Sequence, residues 1–146
     1  MQIVDYYGLK ISLNNYMDAT FPDIIRVYDE NFANPSVFND GARWITPIYG
    51  NCVSDEVIKR LEFFVYIFSK SDPEGLELAK IVTRVLKAFY DETQNDGRKR
   101  IPFYEVNNGA LMQISSIIAS DTSVEGIFRL EDSTIAQAVR VELSWC

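Results

Sequence analysis

Histidine is missing altogether from this chain of 146 residues. With it go the commonest general base, the usual partner of a nucleophilic serine or cysteine, and the commonest transition-metal ligand, which removes much hydrolase and metalloenzyme chemistry. Cysteine is scarce: Cys52 and Cys146 form no Cys-x-x-Cys pair, and two thiols in a chain of this size predict unpaired residues in a reducing compartment. No glycine-rich phosphate loop occurs. The longest apolar run, Phe63 to Phe68, is far too short to cross a bilayer, and an N-terminus with Asp5 and no early basic cluster lacks the form of a signal peptide. No membrane partner and no export are therefore expected. Cations are outnumbered, 14 against 21 acidic residues for a net charge of -7, so the protein as a whole repels phosphate backbones. The basic cluster Arg98-Lys99-Arg100 follows the turn residues Asn95-Asp96-Gly97 and reads as a solvated loop.

What the chain does contain is apolar surface. Hydrophobic residues make up 47% and aromatics 13%, enough to offset the entropy of ordering one domain, and the length suits a single core over residues 1–146. Leu9, Leu13, Tyr16, Met17 and Thr20 recur at helical spacing until Pro22. A short strand is predicted over Ile24 to Val27, then a turn at Asn34-Pro35. A second strand follows over Arg43 to Tyr49, placed at an edge or bulge by Pro47 and ended by a Gly50-Asn51 turn. Val57 to Phe68 is the strongest strand signal: Leu61, Phe63, Val65 and Ile67 alternate with Arg60, Glu62, Phe64, Tyr66 and Phe68. Asp72-Pro73-Glu74 predicts a helix opening, with Asp72 as the cap and the helix running to about Tyr90. Its apolar face is Leu78, Ile81, Val82, Val85 and Phe89; Glu77, Lys80, Arg84, Lys87 and Asp91 form a polar stripe. Four more strands are predicted over Ile101–Val106, Leu111–Ala119, Val124–Leu130 and Ile135–Trp145, separated by Asn-Gly, Asp-Thr-Ser and Glu-Asp-Ser turns. In the last, Ile135, Val139, Val141, Leu143 and Trp145 alternate with residues whose charges can pair with Arg60 and Glu62. The fold class is thus α+β, a mixed or antiparallel sheet with two helices.

Two clusters carry the candidate chemistry. Asp121, Glu125, Glu131 and Asp132 lie close in sequence near predicted turns, where carboxylates serve acid–base work, hold a hard cation or are merely solvated. Cys52, in a predicted loop beside Asp55 and Glu56, should have a raised pKa and be a poor nucleophile. The other cluster is the second side of the long strand. One helix covers one side of a sheet, and Leu61, Phe63, Val65 and Ile67 already claim a cover. Phe64, Tyr66 and Phe68 are then shielded either by that same helix or by a neighbouring subunit.

The order of a helix, strands ending in a long apolar strand, a second helix opened by Asp-Pro-Glu, and closing strands resembles the tail terminator proteins of long-tailed bacteriophages. The pieces that carry the resemblance are Ala42-Arg43-Trp44-Ile45-Thr46-Pro47-Ile48-Tyr49-Gly50, Arg60 to Phe68 running into Leu76 to Val82, and the closing Ala138 to Trp145; the strand-like Leu111 to Ala119 departs from it. The resemblance implies a virion protein, assembled in the host cytoplasm, that closes as a ring of six copies on the tail tube. The ring ends tube growth and meets the neck, or head-completion, proteins, while DNA passes through the lumen without specific binding. It implies no catalytic residue, metal or cofactor. Arg60, Glu62, Phe64, Tyr66 and Phe68 would be subunit contacts, and Asp121, Glu125, Glu131 and Asp132 would face the lumen or a partner. Two alternatives stand beside it: another neck or tail-completion (head–tail connector) subunit, and a small hydrolase or cation binder using those four carboxylates.

Overall fold

The computed structural model describes residues 4–28, 43–55, 57–130 and 133–146. Within them the chain is α+β, with two helices lying on one side of a mixed sheet. Helix α1 (Tyr6–Thr20) is capped by Asp5, whose carboxylate accepts the Gly8 N–H at 3.0 Å. It buries Leu9, Leu13 and Met17 at the predicted spacing, together with Ser12, and ends before Pro22. Strand β1 (Ile25–Arg26) pairs parallel with β2 (Arg43–Ser54) at Trp44 and Ile45. The predicted Asn34-Pro35 turn lies outside the described residues.

Strand β2 is longer than its sequence predicts. Gly50 and Asn51 do not reverse the chain; they form a bulge between the Tyr49 and Cys52 rungs of the ladder with β3 (Lys59–Ser69). A Cβ on Gly50 would lie 2.8 Å from the Glu62 carbonyl oxygen, so the glycine serves close backbone approach and the strand bends there.

Helix α2 (Leu76–Ala88) starts later than Asp72-Pro73-Glu74 predicts. Pro73 and Glu74 sit in a turn closed by the Gly75 N–H donating to the Asp72 carbonyl at 3.0 Å. Asp72 still caps the helix by reaching over that turn to accept the Leu78 N–H at 2.9 Å and, more weakly, the Glu77 N–H at 3.4 Å. Desolvation opposes ionisation of Asp72, but these bonds, the Ser69 hydroxyl and the charge of Arg43 outweigh it and hold its carboxyl below the usual range.

Strands β4 (Lys99–Asn107) and β5 (Ala110–Val124) form a hairpin whose two loop residues, Asn108 and Gly109, have φ of 52° and 80°, as a tight hairpin of matching twist requires. Asp121-Thr122-Ser123 is not a turn. These residues continue β5 along β7 (Ile135–Trp145), and the strand predicted over Val124–Leu130 shrinks to β6 (Phe128–Arg129) on the same side of β7. A free ladder partner outweighs turn-prone composition here. The order across the sheet is β1-β2-β3-β7-β5-β4.

Both helices seal the same face. Leu9, Leu13 and Met17 of α1 and Leu78, Ile81, Val82 and Val85 of α2 form one buried cluster with Leu61, Phe63, Val65 and Ile67 of β3 and Val139, Val141, Leu143 and Trp145 of β7. Phe89, just past α2, joins that cluster and packs against Tyr16 with ring centroids 5.6 Å apart.

Candidate functional site

The alternation that sends Leu61, Phe63, Val65 and Ile67 under the helices sends Arg60, Glu62, Phe64, Tyr66 and Phe68 to the opposite, outer face. Neither helix adds a side chain to the apolar cluster on that side. The outer face divides along the strands into an aromatic end and a charged end.

At the aromatic end, Phe64, Tyr66 and Phe68 stand in a row with successive centroids 6.2 and 6.5 Å apart, and Phe128 meets Tyr66 edge-on at 6.2 Å. Phe64 and Tyr66 are half-buried. Phe68 is not open to a partner as predicted: it is 2% exposed, stacked on Trp44 at 5.2 Å with Ala136 beside it. The chain covers it because Trp44 lies directly opposite on β2 and Ala136 directly opposite on β7. Lys70 Nζ sits 5.6 Å from the Trp44 ring centroid.

At the charged end, β3 and β7 place Glu62 opposite Glu142, a like-charge pair that costs stability unless neutralised. Arg140 neutralises it, with Nε 3.2 Å from Glu62 Oε1 and Nη2 3.0 Å from Glu142 Oε1. The guanidinium's pKa is pushed up by those two hydrogen bonds. The predicted pairing of β7 with Glu62 is thus present, whereas Arg60 turns to Asp55 at 3.4 Å. A cleft of about 760 Å³ opens here, lined among others by Arg60, Arg98, Arg140, Glu62, Glu142 and Ser144. Each of its guanidiniums already faces a carboxylate, Arg98 meeting Asp96 at 3.7 Å, so an incoming anion would have to displace one.

The two candidate carboxylates among the described residues, Asp121 and Glu125, are not brought together. Asp121 lies within β5, not in a loop, and Glu125 follows the strand, its N–H donating to Ala138 O at 2.9 Å. Both are exposed and separated by about 13 Å of extended chain. Glu131 and Asp132 lie outside the described residues, among which no group of three or more acidic or thiol side chains converges as a metal site. Cys52 is in β2, not a loop. Its thiol pKa is raised as predicted, but by burial against the core, while Asp55 points to Arg60. No described helix is long and apolar enough to cross a membrane.

Each outer side of the sheet carries a proline that interrupts its row of donors. Tyr104 N–H points away from β5 and donates to Ser12 Oγ of α1 at 2.7 Å; Pro102, two residues earlier on the same edge, has no N–H. On the far side, Val27 N–H donates to Ile45 O at 2.9 Å, so Pro47 faces outward there and again offers no donor.

The β4–β5 hairpin forms where its two predicted strands and Asn-Gly turn place it; what sequence patterning missed is the exposure of its tip. Pairing of β5 with β7 begins at Ile118, so the tip projects beyond the sheet. There Leu111, Met112 and Ile114 are 46%, 51% and 52% exposed, and Ile114 occupies a bulge. The signal available was a strand prediction with apolar residues of both parities and no second cover. No family model matches this chain, and no curated protein matches it either.

Proposed function

We propose that this chain is a structural subunit that assembles with copies of itself into a ring, and that the ring caps a phage tail tube, ends its growth and presents a surface to the neck proteins. One observation carries the assembly part: the aromatic row of the central strand stays half-open on a face to which neither helix contributes. Exposed apolar surface of this kind marks contact with another protein. The tail-terminator part is supported by the sequence resemblance and by an element order of helix, long apolar strand, second helix and closing strands that runs as that resemblance implies. The mechanism in this reading is binding alone, with the guanidiniums of Arg60, Arg98 and Arg140 each facing a carboxylate. Phe64 and Tyr66 are the contacts, with Arg60 and Glu62 on the charged rim.

Light scattering and negative-stain imaging of the purified protein should show a ring, and adding tube protein should give capped tubes of defined length. A ring that leaves tube growth unchanged would reassign the chain to another neck or connector position; a strict monomer, alone and with tube protein, would end the proposal.

A further inference from the structure

The aromatic end is bordered by a strand of two residues. Strand β1 meets β2 at two rungs, Ile25 with Trp44 and Arg26 with Ile45, and the pairing is parallel, whereas β2, β3, β7, β5 and β4 are joined by long antiparallel ladders. The chain leading into β1 is anchored by Phe21 and Ile24, which are 1% and 9% exposed. Past Ile24 that hold ends: none of Ile25, Arg26, Val27 and Tyr28 is buried.

Alternation gives the two sides of this segment different work. Ile25 and Val27 lie on the outer side with Trp44, and Val27 packs against the cluster of Trp44, Phe68 and Ala136. Arg26 and Tyr28 turn the other way, to α1. There a single carboxylate, Asp18, accepts the Arg26 Nε at 2.8 Å and the Tyr28 hydroxyl. Arg26 Nη1 also donates to the carbonyls of Phe21 and, at 2.8 Å, of Ile24. The outer side thus covers an aromatic ring, while the inner side is pinned through a carboxylate that is itself half-exposed, where an ion pair adds little stability.

Resting on the ring proposal, we propose that β1 is a strap, latched by Asp18, that opens while the rest of the fold stays closed and so regulates how much aromatic surface the outer face presents to another copy. Opening moves residues 25–28 away from β2 and leaves α1, Phe21 and Ile24 in place. It bares Trp44, which stacks on Phe68 at 5.2 Å and so continues the row of Phe64, Tyr66 and Phe68 onto β2.

Hydrogen exchange of the full chain, read residue by residue by NMR, tests the strap. The Val27 N–H, which donates to Ile45 O at 2.9 Å, reports opening of β1, and the Phe63 and Val65 amides of the central strand report global unfolding. In the parent, Val27 should exchange at least about 100-fold faster than those two. Asp18→Asn keeps the side chain's shape and removes its charge; it should speed Val27 about tenfold further and leave Phe63 and Val65 unchanged. Val27 exchanging in step with the central strand, unchanged by the substitution, or sped up equally with the other two amides overturns the strap and leaves the ring proposal standing. Because the open form presents Trp44, apparent self-association of the variant should tighten by the factor by which opening rises, about tenfold. A variant that opens more often yet associates no better overturns the regulatory role, again without touching the ring. Parent and variant that both stay monomeric at about 1 mM overturn the ring proposal and the regulatory role together, and the exchange rates then show whether the strap itself survives.

Discussion

On the helix side of β3, Leu61, Phe63, Val65 and Ile67 are at most 2% exposed, while on the other side of the same strand Phe64 and Tyr66 remain half-buried and neither described helix contributes a side chain. One alternating stretch of sequence therefore makes two kinds of surface. The inner one is closed by the chain's own helices and stabilises the monomer. On the proposed assembly the outer one is covered by another copy, so its side chains should matter more for association than for folding.

The contrast is sharpest at Phe63, which is wholly buried and meets Tyr49 and Phe89 at 5.2 and 6.0 Å. Phe63→Ala should lower unfolding free energy by about 3–5 kcal/mol in a denaturant titration. Asp72→Ala, which uncaps the helix that seals this inner face, should cost about 1 kcal/mol at neutral pH. Because the folded pKa of Asp72 lies below its unfolded value of about 3.9, its contribution is complete above that value and disappears as pH falls through the folded one. Stability curves of parent and variant should therefore converge in acid; a gap that persists below both pKa values would show that Asp72 acts otherwise than through its charge. On the outer face, Phe64→Ser should cost the monomer about 1 kcal/mol or less yet weaken association about tenfold or more, and the reverse pattern would erase the distinction between the faces. Arg140→Ala should have the smallest effect on melting temperature, and raising the salt concentration should shrink it further, since the ion pairs it makes are partly exposed.

Much of this architecture was legible before any coordinates, and for reasons of periodicity. A two-residue period placed Leu61, Phe63, Val65 and Ile67 together, and a three-to-four-residue spacing placed Leu9, Leu13 and Met17, and Leu78, Val82 and Val85, on single helical faces. Asn108-Gly109 marked the hairpin because so few residues accept positive φ in succession. Where local composition competes with a long-range partner, it misleads: Asp121-Thr122-Ser123 and Gly50-Asn51 look like turns and are ladder residues, and Pro73 looks like the first turn of a helix that begins at Leu76.

The division of labour is plain at the outer face. Sequence alone determined that the long strand has two apolar sides and that the chain contains no histidine, because side-chain parity and residue identity are local properties. Only the tertiary structure decided that both helices lie on one side, that Trp44 closes over Phe68 while Phe64 and Tyr66 stay half-open, and that the hairpin tip projects past the sheet. Those outcomes depend on which strands become neighbours and where their registers begin and end, and nothing within any one segment encodes that.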